Sequence, residues 1–207
     1  MWLQQLPNGT SLHDVYLWAD GIDNPDRDTG IAPTWSGITK GVLKFGGRVL
    51  TFDGDDDYIY YSTLSEPASA VTITFWFSTE DVGADMVIVA LGSGNAFIDA
   101  CGMDATKLVF HINGGTTIVE TDDAYNDGAW HHCAMDTANE LIYVDGAVVA
   151  TSAGSLQRVT DQVLIGCRHN AGDYNQEYTG NLANIIVFNK TLTATQIAQM
   201  YNKHKKI

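Results

Sequence analysis

Positive charge is scarce in this chain: 11 lysines and arginines stand against 25 aspartates and glutamates, a formal charge of −14 over 207 residues. A surface of that sign repels phosphate backbones, and no basic stripe offsets it, so nucleic acid is excluded as a partner. Long apolar runs are missing too. Without an apolar stretch of about 18 residues, insertion into a membrane is not expected. Cysteine is limited to Cys101, Cys133 and Cys167, an odd number with no C-x-x-C pair, which argues against a disulfide framework. Cys133 falls inside an apolar strand pattern and reads as a small buried hydrophobe. The N-terminal residues lack the basic start and apolar centre of a secretory signal. From Met1, the expectation is a protein made in a cytosol that stays there or leaves by assembly.

What the chain does have is apolar content, 45% against 17% charged residues, enough for a large core. All-β sandwiches commonly reach about 200–250 residues as one unit, so a single domain over 14–207 is expected, preceded by an arm at 1–13. Strand signals dominate. Val71 to Phe77 alternates with period 2 and places Ile73, Phe75 and Phe77 on one face. Further short strands are predicted at Asp14 to Trp18, Val42 to Phe45, Val49 to Phe52, Met86 to Leu91, Ala96 to Ala100, Lys107 to Ile112 and Thr116 to Glu120. Others follow at Trp130 to Met135, Glu140 to Val144, Ala147 to Thr151, Gln162 to Gly166 and Asn181 to Phe188. Gly46-Gly47, Gly114-Gly115 and Asp145-Gly146 are hairpin turns by composition. Ala19 to Gly41, rich in Gly, Asp and Asn, reads as one long loop. One helix is expected, at the C-terminus, where Thr193 can cap and Gln196 completes a capping box ahead of Ile197, Met200 and Tyr201. The fold class is therefore all-β, a two-sheet antiparallel jelly-roll sandwich with a short C-terminal helix.

The chemistry is sparse. Glu66, Glu80, Glu120, Glu140 and Glu177 are scattered, and the Glu-x-Asp-x-x-Glu arrangement that lines a retaining glycosidase cleft is absent. Asp53, Asp55 and Asp57 alternate and so point three carboxylates the same way, a hard-cation pattern, although Tyr58 stands where an EF-hand needs Gly and Leu64 where it needs Glu. Calcium at these residues, or in the Asp20 to Asp28 loop, is weighed against a solvated acidic turn. His131 and His132 are adjacent on a strand and face opposite ways, which keeps them from sharing a metal. The ring-bearing candidates for stacking on a sugar are Trp35, Tyr58, Tyr60, Tyr125 and Tyr174, in or beside turn-rich segments, whereas Trp76 and Trp130 are assigned to the core.

Phe52-Asp53-Gly54, Asp56-Asp57-Tyr58-Ile59 and the later Tyr178 with Gly180 to Leu182 resemble, at this spacing, the laminin-G-like and concanavalin A-like lectin domains. The resemblance runs from about Asp14 to Tyr201. It implies a jelly roll and a choice among glycan-binding lectins, adhesion modules, glycoside hydrolases and accessory domains of phage particles. Ala183 departs from the pattern at a position where the family has an acidic side chain that often supports a calcium site. The reading preferred here is a binding module without catalysis, a virion structural protein on a capsid or tail, assembled in the host cytoplasm and exposed at the virion surface. Its partners would be virion proteins or surface glycans, with a homo-oligomer compatible with that setting. The alternative is an extracellular, calcium-assisted lectin domain, and a glycoside hydrolase ranks last.

Overall fold

The structure, a computed structural model, describes residues 7–9, 15–19, 34–42, 48–61, 70–83, 85–93, 96–112, 116–152, 162–170 and 173–204. The Asp20 to Asp28 stretch, Gly46-Gly47, Gly114-Gly115 and all of the 1–13 arm except residues 7–9 lie outside the described residues. Two antiparallel sheets face each other. The first runs β13 (Ala147–Thr151), β12 (Leu141–Val144), β11 (His131–Asp136), β6 (Thr72–Ser78), β17 (Thr179–Phe188), β4 (Arg48–Asp53) and β3 (Thr39–Val42), with β1 (Val15–Ala19) beside the far half of β17. The second runs β10 (Thr116–Ala124), β9 (Lys107–Ile112), β8 (Ala96–Asp104), β7 (Met86–Ser93), β14 (Gln162–Ile165), β5 (Tyr58–Tyr61) and β2 (Thr34–Ser36). A hairpin of β15 (Arg168–Asn170) and β16 (Asp173–Asn175) completes the strands, and α1 (Ala194–His204) is the helix.

The jelly-roll expectation holds, and the strand alternation shows why. Ile73, Phe75 and Phe77 are fully buried between the sheets, together with Leu50, Ile59, Val89, Cys101, Leu108, Cys133, Val163 and Leu182. β6 is nevertheless buried along its whole length, because α1 covers its other face. There Ala134, Tyr143, Ile186 and Phe188 pack beneath Leu192, Ile197 and Met200. The capping box forms as the sequence predicts: the Gln196 amide donates to Thr193 Oγ1 at 3.3 Å, and the Thr193 amide donates to Gln196 Oε1 at 2.9 Å. Asn8 of the arm is clasped to the same helix, its amide donating to Gln199 Oε1 at 2.8 Å and its carbonyl accepting from Gln196 Nε2 at 3.0 Å.

Two expectations need correction. The stretch from Ala19 to Gly41 is not one loop, since it contains β2 and most of β3; Trp35 and Ser36 pair with Ile59 and Tyr58, and a strand of three residues is too short to leave a periodic trace. Trp130 is only half-buried, just ahead of β11. Trp76 is buried as expected, 3% exposed, and its ring stacks on Tyr201 of α1.

Candidate functional site

Alternation along β5 sorts its rings. Ile59 and Tyr61 join the core, so Tyr58 and Tyr60 emerge on the outer face of the second sheet, over a small apolar cluster of Val87, Ala90, Ala100, Leu164 and Cys167. The β15 and β16 hairpin folds across that face. Its cross-strand pair is His169 and Tyr174: Tyr174 stacks on Tyr58 at 4.7 Å between centroids and 10° between planes, and His169 lies 4.7 Å from Tyr174. Tyr174 stays 44% exposed. Burial pushes its phenol up to about 12, with the hydrogen-bonded neighbour Tyr58 adding to the effect. Three of the five sequence-predicted rings, Tyr58, Tyr60 and Tyr174, thus share one platform. Tyr125 does not join them; it sits edge-on to His131 at 5.3 Å. The side chain of Trp35 lies outside the described residues. His169 was missed because a lone histidine in a turn-rich stretch carries no periodic signal.

Beside the platform runs a polar cleft of about 380 Å³, lined by Gly54, Asp81, Asp85, Gln176, Glu177 and Thr179, with Met86 as its apolar wall. The strands fix its shape: the Val87 amide donates to the Gln176 carbonyl at 2.8 Å, and Gln176 Nε2 donates to Asp85 Oδ2 at 3.4 Å. Asp85 also meets Asp104. Burial pushes the Asp104 carboxyl up, and hydrogen bonding to Asp85 with the nearby charge of Glu120 pushes it further. His111, on the same face, is held below its ordinary value by burial.

The acidic turn sits between β4 and β5. Among the described residues, carboxylate oxygens of Asp53, Asp56 and Asp57 lie within 4.8 Å of one another. The sequence pattern named Asp55 in place of Asp56. Asp55 instead donates its amide to Asp53 Oδ1 at 3.0 Å, an Asx turn that breaks the strand alternation, and it is the exposed Asp56 that joins Asp53 and Asp57. Asp57 is 4% exposed and accepts the Asp53 amide at 2.7 Å through Oδ2. Burial, followed by the charges of Asp53 and Asp56, holds its pKa above the usual carboxylate value. Hard oxygen donors crowded this closely fit a hard cation, and water would complete the shell.

The sequence matches the model of the concanavalin A-like lectin/glucanases superfamily, Laminin_G_3, over residues 53–198. The chain belongs to this superfamily. Members share its jelly roll but not one chemistry, so the solved structures that resemble it bear on fold alone. Domain 4 of AbnA, a GH43 extracellular arabinanase from Geobacillus stearothermophilus, in complex with arabinotriose, is 12% identical with a TM-score of 0.67, over 91% of this chain and 98% of that one. The native heptameric SAP-like pentraxin from Limulus polyphemus is 14% identical with a TM-score of 0.60, over 72% and 79%. The binding domain of botulinum neurotoxin DC in complex with SialylT is 14% identical with a TM-score of 0.63, over 91% of this chain and 51% of the toxin domain. No curated protein matches the sequence. Within the matched stretch Tyr178 is buried, its hydroxyl donating to the Ser78 carbonyl at 3.2 Å, and Ala183 is buried as well.

Proposed function

We propose that the chain is a non-catalytic glycan-binding module whose ligand stacks on Tyr174. The observation that carries this reading is the exposed Tyr174 ring, held flat against Tyr58 and flanked by His169. A ring fixed in this way loses little freedom on binding and matches the C–H face of a pyranose or furanose. The adjoining cleft supplies carboxylates and an amide that accept from and donate to sugar hydroxyls, and its acidic lining favours neutral sugars over acidic ones. Domain 4 of AbnA, which spans almost the same fold, holds arabinotriose, and that supports an oligosaccharide as the class of ligand. Calorimetry or an array of neutral oligosaccharides tests the reading: Tyr174→Ala should weaken binding about tenfold or more, about 1.4 kcal/mol, with the fold intact by circular dichroism. Unchanged affinity in that variant would sink it.

In its finer form the proposal sets the module on a virion surface after assembly in a host cytoplasm, beside other virion proteins and as a homo-oligomer. Three buried, unpaired cysteines support folding in a reducing compartment. Light scattering checks the assembly, and a monomer at every concentration would count against it. The second reading, a calcium-assisted extracellular lectin, draws on the convergence of Asp53, Asp56 and Asp57. Those three would hold the ion and pin the turn leading into Tyr58. Calcium that raises the Tm of the native chain but not of Asp57→Asn would favour it.

A further inference from the structure

His131 stands between two carboxylates. Its Nδ1 lies 3.1 Å from Asp145 Oδ2 in the turn between β12 and β13, and its Nε2 lies 3.2 Å from Asp127 Oδ1 in the segment leading into β11. Both carboxylates are spoken for on the protein side as well: Asp145 Oδ1 accepts the His132 amide at 2.9 Å, and Asp127 Oδ1 accepts the Ala129 amide at 2.9 Å. Ionised carboxylates only accept, so an imidazole that satisfies both must donate from both nitrogens and carry a proton on each. Phe77 of β6 lies 5.8 Å from the imidazole ring and Tyr125 meets it edge-on at 5.3 Å. Asp123 at the end of β10 acts on Tyr125, Glu80 packs on Gly128, and His132, on the opposite face, acts on Asp145.

We infer that His131 is a pH-operated latch: as an imidazolium it ties residues 125–130 to the turn between β12 and β13, and on losing a proton it lets the Asp127 side go. The asymmetry follows from exposure. Asp145 has 37% of its side chain exposed against 62% for Asp127, so a neutral imidazole keeps its one N–H on the better-shielded Asp145. Nε2 then faces Asp127 as two acceptors in contact. The segment released is the one whose Asn126 Nδ2 donates to the Asp81 carbonyl at 3.2 Å, at the wall of the polar cleft, so the latch borders that cleft. The directions of titration agree with the geometry: hydrogen bonds donated by the imidazole to Asp145 and Asp127 raise His131 above 6.5. Asp127 is lowered chiefly by the Ala129 amide; Asp145 is lowered by His131 and the His132 amide in spite of burial. The clamp is therefore complete above the carboxylate range and below the His131 pKa, and fails as pH rises through the latter.

Nitrogen-15 NMR of the full chain, with hydrogen exchange across pH 5.5 to 9, tests this. His131 is expected to titrate above 6.5 with both nitrogens protonated below that point. The Gly128 and Ala129 amides should then exchange about tenfold faster above it, after correction for intrinsic rates, while amides of β6 and β17 stay constant. In Asp127→Asn the step should vanish with the fold kept, and His131→Gln should give the fast exchange at every pH. A His131 pKa at or below 6.5, or a step that persists in Asp127→Asn, overturns the proposal.

Discussion

The indole of Trp76 on β6 and the phenol ring of Tyr201 on α1 stack at 5.8 Å between centroids and 27° between planes, which fastens the C-terminal helix to the outer face of the first sheet. The His132 ring completes the contact, 5.3 Å from Trp76. Tyr201→Ala should cost about 2 kcal/mol through lost aromatic packing and area, a Tm drop of about 4–8 °C by calorimetry. A drop under 1 °C would show that the helix is held by Ile197 and Met200 alone.

Under the same helix, the two-residue turn Asp145-Gly146 has φ of 51° and 85°, the left-handed pair that a tight hairpin between Val144 and Ala147 requires. A Cβ at Gly146 would also come 3.3 Å from Ala198 Cα. Gly146→Ala is expected to lose about 1–2 kcal/mol, read as an earlier urea midpoint at unchanged slope.

Asp57 gives a pH dependence of the opposite sense to a salt-bridged carboxylate. Burial raises its pKa in the folded chain, so the folded state binds the proton more tightly and stability falls as pH climbs from 3.8 through the raised value. Asp57→Asn removes that penalty while its amide oxygen still accepts from Asp53. Thermal melts should place the variant level with or above the native chain at pH 7 without added calcium, the two converging at pH 3; a clear loss at pH 7 would contradict this account.

The thiols are expected to be silent. Cys101, Cys133 and Cys167 are all buried, and burial pushes Cys101 and Cys167 up to about 12 and Cys133 well above the usual thiol value. A thiol reagent at pH 8 should leave all three unmodified in the native chain and label them only on unfolding. Rapid labelling of any one under native conditions would contradict the packing described.

Local patterns carried much of the fold. The alternation of Ile73, Phe75 and Phe77, the Asp145-Gly146 turn and the Thr193 to Gln196 box each lie within a few residues of chain, where backbone geometry and side-chain chemistry act directly. They determined an all-β sandwich with a terminal helix, and the match over residues 53–198 agrees. The alternating pattern was less reliable in the acidic turn, where Asp56 and not Asp55 joins Asp53 and Asp57, because an Asx turn interrupts the strand period.

Only the tertiary structure decided which distant residues meet. Tyr58 and Tyr174 belong to separate segments, and they stack because β14 pairs with β5 and the following hairpin folds back over that face. Trp76 looked like any other strand aromatic, yet α1 covers the face it occupies. His131 acquired Asp145 only through the pairing of β11 with β12. Period and turn chemistry are properties of a short stretch, whereas the choice of neighbouring strands follows from burying the apolar surface of the whole chain at once, and the candidate site is built from that choice.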